Sequence, residues 1–278
     1  MTSILTNSGA MVALQTLSSI NNDLTDTQNA ISTGREINTA KDNSAIWSIS
    51  KVMEADAQSF EAVEDSLSLG AATVGVALAA VEQVSDILND VREKIIQATG
   101  ENVDRTAIGN EITQLTGQIE QIIDAAQFNG ANLLDGTTVD GTETELTVLS
   151  SVNRSSTGIA ISNITVPAQD FTTNLDLTDI DLTDAGTIDT SLQNIEAHLT
   201  TLTTSGAVIG AAASRIDTQM EFIGKVKDAT KEGIGALVDT DMEEASARLK
   251  ALQTQQQLGV QALSIANSSP STLQQLFR

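Results

Sequence analysis

Few residues in this chain have the types and spacing to do chemistry. His198 is the sole histidine and there is no cysteine. With only Glu196 close by in sequence, His198 is expected to be a partly solvated surface residue, because a metal site needs three or four converging ligands. Asp176, Asp179, Asp181 and Asp184 raise the question of calcium. Their spacing matches neither a helix-loop-helix calcium loop nor a glycine-rich nonapeptide repeat, so an acidic solvated edge is expected instead. Asn153-Arg154-Ser155 and Asn163-Ile164-Thr165 fit the N-glycosylation pattern, a weak signal on its own. No nucleophile with an adjacent base and no metal set can be assembled, so no catalytic residue, cofactor or metal is expected.

Composition points the same way. The 278 residues include no Tyr, one Trp and five Phe, and 14 Lys plus Arg stand against 37 Asp plus Glu, a net charge of -23. That sign disfavours nucleic acid and anionic membrane as partners. The N-terminal residues lack the basic cluster and apolar run of a cleaved signal peptide, and the apolar positions are too interrupted to suggest a membrane span. The absence of Cys suits a chain that must tolerate any redox compartment.

What positions these residues is helical. Steps of three and four from Ile46 meet Ile49, Met53, Asp56, Phe60, Val63, Leu67, Gly70, Val74, Ala77, Val81, Val84, Leu88, Val91, Ile95 and Ala98, with Asp56 the one polar member. The spacing predicts a single helix of roughly 80 Å at about 1.5 Å per residue, stopped near Gly100. A second seam runs through Ile108, Ile112, Leu115, Ile119, Ile122 and Ala126. A third runs from Leu192 through Ile195, Leu199, Leu202, Ile209, Ile216 and Ile223 to Ile234 and Leu237. Packed on one another, these seams give a mainly α fold, an elongated antiparallel helical bundle with terminal coiled-coil helices. Asn129-Gly130, Asp135-Gly136 and Asp140-Gly141 mark turns, and the alternating runs near Thr144 to Leu149 and Gly158 to Val166 predict a small β-hairpin insert. Trp47, at the start of the long helix, reads either as an anchor for a partner or as a cap on the bundle core.

The ends differ from the middle. Ala10, Leu17, Leu24 and Ile31 recur every seven residues, with Leu14 between them; near the other end Leu249 and Leu263 alternate with Leu252, Gly259 and Ala266. Each of the few Leu or Ile here contributes roughly 1.5 to 3 kcal/mol when buried. Backbone ordering costs about 1 to 2 kcal/mol per residue. These segments are therefore not expected to be stable alone; pairing with each other and with neighbouring chains would supply the missing burial.

Two distant segments carry a resemblance. Ile31-Ser32-Thr33-Gly34-Arg35-Glu36-Ile37-Asn38-Thr39-Ala40-Lys41-Asp42-Asn43 resembles the N-terminal signature of bacterial flagellins, with Ser32, Thr33, Gly34, Arg35, Asn38, Ala40 and Asp42 as its characteristic positions. Leu249 to Asn267 and the ending Leu276-Phe277-Arg278 resemble their C-terminal one. Phe128-Asn129-Gly130 and Leu133-Leu134 resemble the turn after the family's second helix. The similar regions cover about 1 to 135 and 190 to 278, and the short insert is similar to that of alphaproteobacterial flagellins.

The resemblance implies a structural subunit that self-assembles as a helical homopolymer into the flagellar filament, an extracellular, secreted propeller. It implies residues 1–43 and 239–278 as an inner core domain with Ala10, Leu14, Leu17, Leu24, Ile31, Leu249, Leu252, Gly259, Leu263 and Ala266 on its assembly seam. Residues 44–136 and 190–238 would form a surrounding shell bundle, and 137–189 a hairpin and short variable insert open to O-linked sugar. Thr33-Gly34-Arg35 would form a charged joint between subunits. Partners would be the flagellar type III export apparatus and a chaperone, hook-associated junction and cap proteins, and other flagellins. Alternative readings are a hook-filament junction protein, similar at both ends, and a secreted coiled-coil adhesin. Where the family's segment for the vertebrate Toll-like receptor usually reads Gln-Arg-Val-Arg-Glu-Leu, this chain has Asn89, Asp90, Val91, Arg92, Glu93 and Lys94, which implies weak receptor activation.

Overall fold

The computed structural model describes residues 7–136, 144–155 and 158–276, the side chains of 269–276 excepted. The Asp140-Gly141 turn and the terminal Phe277-Arg278 lie outside them. The order is α1 (Ser8–Thr33), α2 (Ser44–Ala98), α3 (Arg105–Ala125), β1 (Gln127–Phe128), β2 (Ala131–Asn132), β3 (Glu145–Ser155), β4 (Gly158–Pro167), the short α4 (Phe171–Asn174), a 3-10 turn (Leu177–Asp179), α5 (Ala185–Val238) and α6 (Met242–Leu276). The fold is mainly α, a helical bundle with two small antiparallel sheets. The chain forms two compact units, residues 58–228 and residues 1–57 with 229–278.

The unit 58–228 is built on the seams of α2, α3 and α5. Val63, Leu67, Val74, Leu88, Val91 and Ile95 of α2, Ile112 and Ile119 of α3, and Ile195, Leu202, Ile209 and Ile216 of α5 are all buried in one core. α2 and α5 run antiparallel, tied by Lys227 to Glu64 near one end and by Arg92 Nε to Glu196 Oε1 at 2.7 Å near the other. α2 is more apolar than its interrupted pattern suggests. It contains an 18-residue window of mean hydropathy 1.5, long and apolar enough by composition to cross a membrane. Here the seam positions Val74, Ala77, Val81, Val84 and Leu88 of this helix instead face other helices, at 7% exposure or less.

Asn129 and Gly130 close β1 on β2 with φ of 50° and 85°, the pair of positive values that a two-residue hairpin matched to strand twist requires. In the β3–β4 hairpin the register steps over Ser150. That bulge directs the Ser150 carbonyl to Gln219 Nε2 of α5 at 2.8 Å, while the Leu149 amide donates to Ser66 Oγ of α2 at 3.2 Å. Val148, Ile164 and Val166 turn into the core. The hairpin is thus held on α2 and α5 by backbone as well as apolar contact. Two elements run longer than their sequence signals: β3 continues to Ser155, and α5 starts at Ala185 after Asp184, whose amide donates to Thr187 Oγ1 at 3.0 Å.

In the second unit α1 lies antiparallel to α6. Gln256 Nε2 donates to Asn21 Oδ1 at 2.6 Å and Asn7 Nδ2 to the Ala266 carbonyl at 2.7 Å. α1 stops at Gly34, which takes the left-handed φ of 71° that costs a glycine least. A small cluster of Ala57, Ile234 and Val238, lined by Ile37, Ile46 and Met53, fixes the turns joining α1 to α2 and α5 to α6.

Candidate assembly interface

The α1–α6 seam is made of Ala10, Ala13, Leu17, Ile20, Leu24, Thr27 and Ile31 on one side and Ala245, Leu249, Leu252, Gln256, Gly259, Leu263 and Ala266 on the other, every one of them buried or half-buried. Small residues let the helices close up. A Cβ added at Gly259 would stand 2.9 Å from Leu17 Cδ1. The register on α1 differs from the expectation that put Leu14 on the seam. Ala13, Ile20 and Thr27 take the alternate seam positions, while Leu14 is 60% exposed. Thr27 pays for its burial by donating Oγ1 to the Asp23 carbonyl at 2.7 Å.

Leu14 is not alone outside. Met11, Val12 and Leu14 of α1 and Leu258, Val260 and Ile265 of α6 are each more than half exposed. A monomer seldom presents so many large apolar side chains on one pair of helices. Heptad reading misses most of them because they fall off the repeat. The detectable signal is apolar residues where a lone helix pair would carry polar ones.

The signature segment forms the joint at one end of this unit. Asp42 accepts the amides of Asn38 at 3.1 Å and Thr39 at 2.8 Å, and these backbone bonds, Thr39 first, hold its carboxyl below the ordinary range. Arg35 pairs with Glu54 at 2.9 Å, within the same chain, and Lys51 reaches the other oxygen at 2.6 Å. The Lys51 hydrogen bond is the main cause that keeps the Glu54 carboxyl low. The Glu36 amide donates to the Val238 carbonyl at 2.8 Å and that of Thr240 to the Gly34 carbonyl at 3.0 Å. Thr33 caps its own helix through Asn29; Ser32 and Ala40 are exposed. Trp47 is half-buried beside this joint.

The remaining candidates disperse. His198 Nε2 lies 3.2 Å from the Asp176 carbonyl, and Glu196 is engaged by Arg92. Asp176 and Asp181 each cap a turn by accepting from the amide and hydroxyl of the threonine two residues on, Thr178 and Thr183, and those hydroxyls lower both carboxyls. Among the described residues no group of three or more His, Asp or Glu is placed to hold a metal. In the segment 89–94, Asn89, Asp90 and Glu93 are exposed, Val91 is buried, and Arg92 and Lys94 are spent on Glu196 and Glu111, the latter at 2.5 Å.

Paired terminal helices with an uncovered apolar face, and a helical bundle with its own core, are what the two units present. The comparisons with known proteins specify the class. The family model described as the bacterial flagellin N-terminal helical region matches residues 4–139, and that for the C-terminal helical region matches 192–277. A flagellin of Brucella melitensis biotype 1 is 43% identical over the full length of both chains, and flagellin FljM of Caulobacter vibrioides is 40% identical over 99% of this chain and 98% of its own. The chain belongs to the bacterial flagellin family, and it is a structural subunit of the flagellar filament. A putative flagellar hook-associated protein from Vibrio parahaemolyticus shares the fold, with a TM-score of 0.55 at 15% identity over 71% of this chain and all of that one. At that identity the likeness shows fold alone, so the junction-protein reading is not favoured over the filament subunit.

Proposed function

We propose that this chain builds the filament through its termini. Residues 1–43 and 239–278 form an inner core, 44–136 and 190–238 a shell, and 137–189 the insert. The observation that carries this reading is the uncovered apolar set on α1 and α6, Met11, Val12, Leu14, Leu258, Val260 and Ile265. Burying each would contribute roughly 1.5 to 3 kcal/mol per subunit, comparable to what holds the α1–α6 pair itself. The intrachain seam of Ala10, Leu17, Leu24, Ile31, Leu249, Leu252, Gly259, Leu263 and Ala266 then orients this set toward neighbouring copies.

By the same family reading the chain is secreted unfolded through the flagellar export apparatus with a chaperone's help, meets junction and cap proteins at the filament's two ends, and works outside the cell without catalysis or cofactor. Purified chain seeded with filament fragments and viewed by electron microscopy tests the core of this. Long filaments are expected; rings of a few subunits would instead support a junction protein, and persistent monomer would overturn the proposal.

A further inference from the structure

Met11 is the one sulfur-bearing side chain in the uncovered set on α1 and α6, and at 66% exposure it exceeds Val12 and Leu14 beside it. The start of the helix fixes its direction. The Asn7 carboxamide accepts the Ala10 amide at 3.1 Å and donates to the Ala266 carbonyl, while the Asn7 carbonyl accepts the Met11 amide at 3.1 Å. At about 3.6 residues per turn, Met11 falls between Leu14 and Val12 around the helix and about two and a half turns before Ile20 of the seam, so it faces away from α6. The other methionines are placed differently. Met53 lines the small cluster around Ala57 and Met220 packs on the core of 58–228, both half-buried. Met242, 46% exposed, begins α6 apart from the set, and Met1 lies outside the described residues.

A thioether is apolar and flexible, which suits it to a surface that must fit a second copy. It is also oxidisable. The sulfur attacks the terminal oxygen of a hydroperoxide; the O–O bond breaks, an S–O bond forms, and the proton on the transferred oxygen passes to the departing hydroxide or alkoxide. Sulfur gives up two electrons and the peroxide leaves as water or alcohol. The sulfoxide is polar, and at Met11 it would have to be desolvated in every contact that the rest of the apolar set favours. The chain has no cysteine and no tyrosine, so no thiol or phenol of its own competes for the oxidant. We propose that Met11 is an oxidation site that governs entry to the filament. Peroxide acting on free subunit makes chains that other copies reject, whereas assembly shelters the sulfur of chains already in place. This rests on the filament reading. Two thiols, which end as a disulfide with release of water, reduce the sulfoxide and return the chain to use.

Free subunit is treated with hydrogen peroxide so lightly that most oxidised chains carry one sulfoxide, then quenched and polymerised on filament seeds. Filament and supernatant are digested and each methionine is mapped by mass spectrometry. Met11 sulfoxide is expected to be about tenfold scarcer in filament than in supernatant, the scale set by losing one buried apolar side chain. Met242 sulfoxide should divide evenly. Methionine sulfoxide reductases for both epimers, with a dithiol, should return the rejected chains to filaments. Filaments given the same peroxide should gain Met11 sulfoxide at least about tenfold more slowly than free subunit. Independently of any oxidant, Met11→Gln, which puts a polar side chain of similar length in place, is expected to raise the critical concentration about tenfold. Even division of Met11 sulfoxide, equal rejection of Met242 sulfoxide, rejected chains that reduction does not restore, equal oxidation rates in filament and free subunit, or an unchanged critical concentration for Met11→Gln would each overturn the proposal and leave the filament reading standing. Failure of the unoxidised chain to polymerise removes the filament reading first.

Discussion

Leu17 and Gly259 meet in the α1–α6 seam so closely that a Cβ on Gly259 would stand 2.9 Å from Leu17 Cδ1. Two effects oppose each other on substitution. Alanine gains about 1 kcal/mol of helix propensity over glycine, and the atom it meets is the flexible end of a leucine, which can turn aside. Gly259→Ala is therefore expected to be within about 1 kcal/mol of neutral, whereas Gly259→Leu overfills the seam and is expected to cost about 1 to 3 kcal/mol. Critical concentration and amide exchange of residues 10–31 in assembled filaments measure both; equal effects from Ala and Leu would show that the helices do not approach this closely.

A charge placed one heptad away acts differently. Leu252 is 7% exposed against α1, and Leu252→Asp would bury a carboxylate with no partner in the seam, a cost of several kcal/mol. Filament formation is expected to be lost. The unit 58–228 has its own core, so most of the helical circular dichroism and its cooperative melt should persist. Normal filaments from this variant would remove Leu252 from the assembly seam.

Much of this fold was legible in the residues because the long core of α2 repeats strongly apolar side chains: from Val63 to Ala98 every seam position falls inside. The pattern fails at the ends. A strict alternation of three and four places Ile49 inside, yet Ile49 is 53% exposed and Ser50 is buried; likewise Val238, not Leu237, enters the small cluster. A helix of 3.6 residues per turn drifts against a 3.5-residue repeat, and near its ends α2 packs on different partners. Leu14 misleads for the opposite reason. A heptad expects the larger residue inside, but the half-buried position falls to Ala13, in step with Ile20 and Thr27, and Leu14 stays 60% exposed. The acids at 176–184 could be read as caps only with their threonine partners in view.

The carboxylates of the signature joint give a pH dependence of definite sign. Asp42 and Glu54 titrate below their ordinary 3.8 and 4.5. A carboxyl whose folded value is depressed binds fewer protons folded than unfolded, so what it contributes is complete above the unfolded value and drains as pH falls through the folded one. Amide protection of Asn38 and Thr39 is expected to hold from pH 7 to about pH 5 and to fall below about pH 4. Asp42→Asn should lower that protection at pH 7 and flatten its response to acid. Protection that is indifferent to pH down to about 3 would mean the Asp42 carboxylate does not hold the turn.

Amide exchange also tests whether order at the ends depends on assembly. In dilute monomer α1 and α6 share a seam diluted by Ala10, Ala13, Thr27, Gln256 and Gly259, while the outer apolar set stays wet. Opening such a pair costs far less than opening the core around Leu67, Leu88 and Ile209. Residues 8–33 and 242–268 of the monomer are expected to exchange at least about a hundredfold faster than the buried positions of α2, since about 2.7 kcal/mol less protection suffices for that ratio. Polymerisation should slow both ends and leave the α2 core amides nearly unchanged. Ends as protected in monomer as in filament would mean that the intrachain seam suffices, and the neighbouring copies would then have no ordering role.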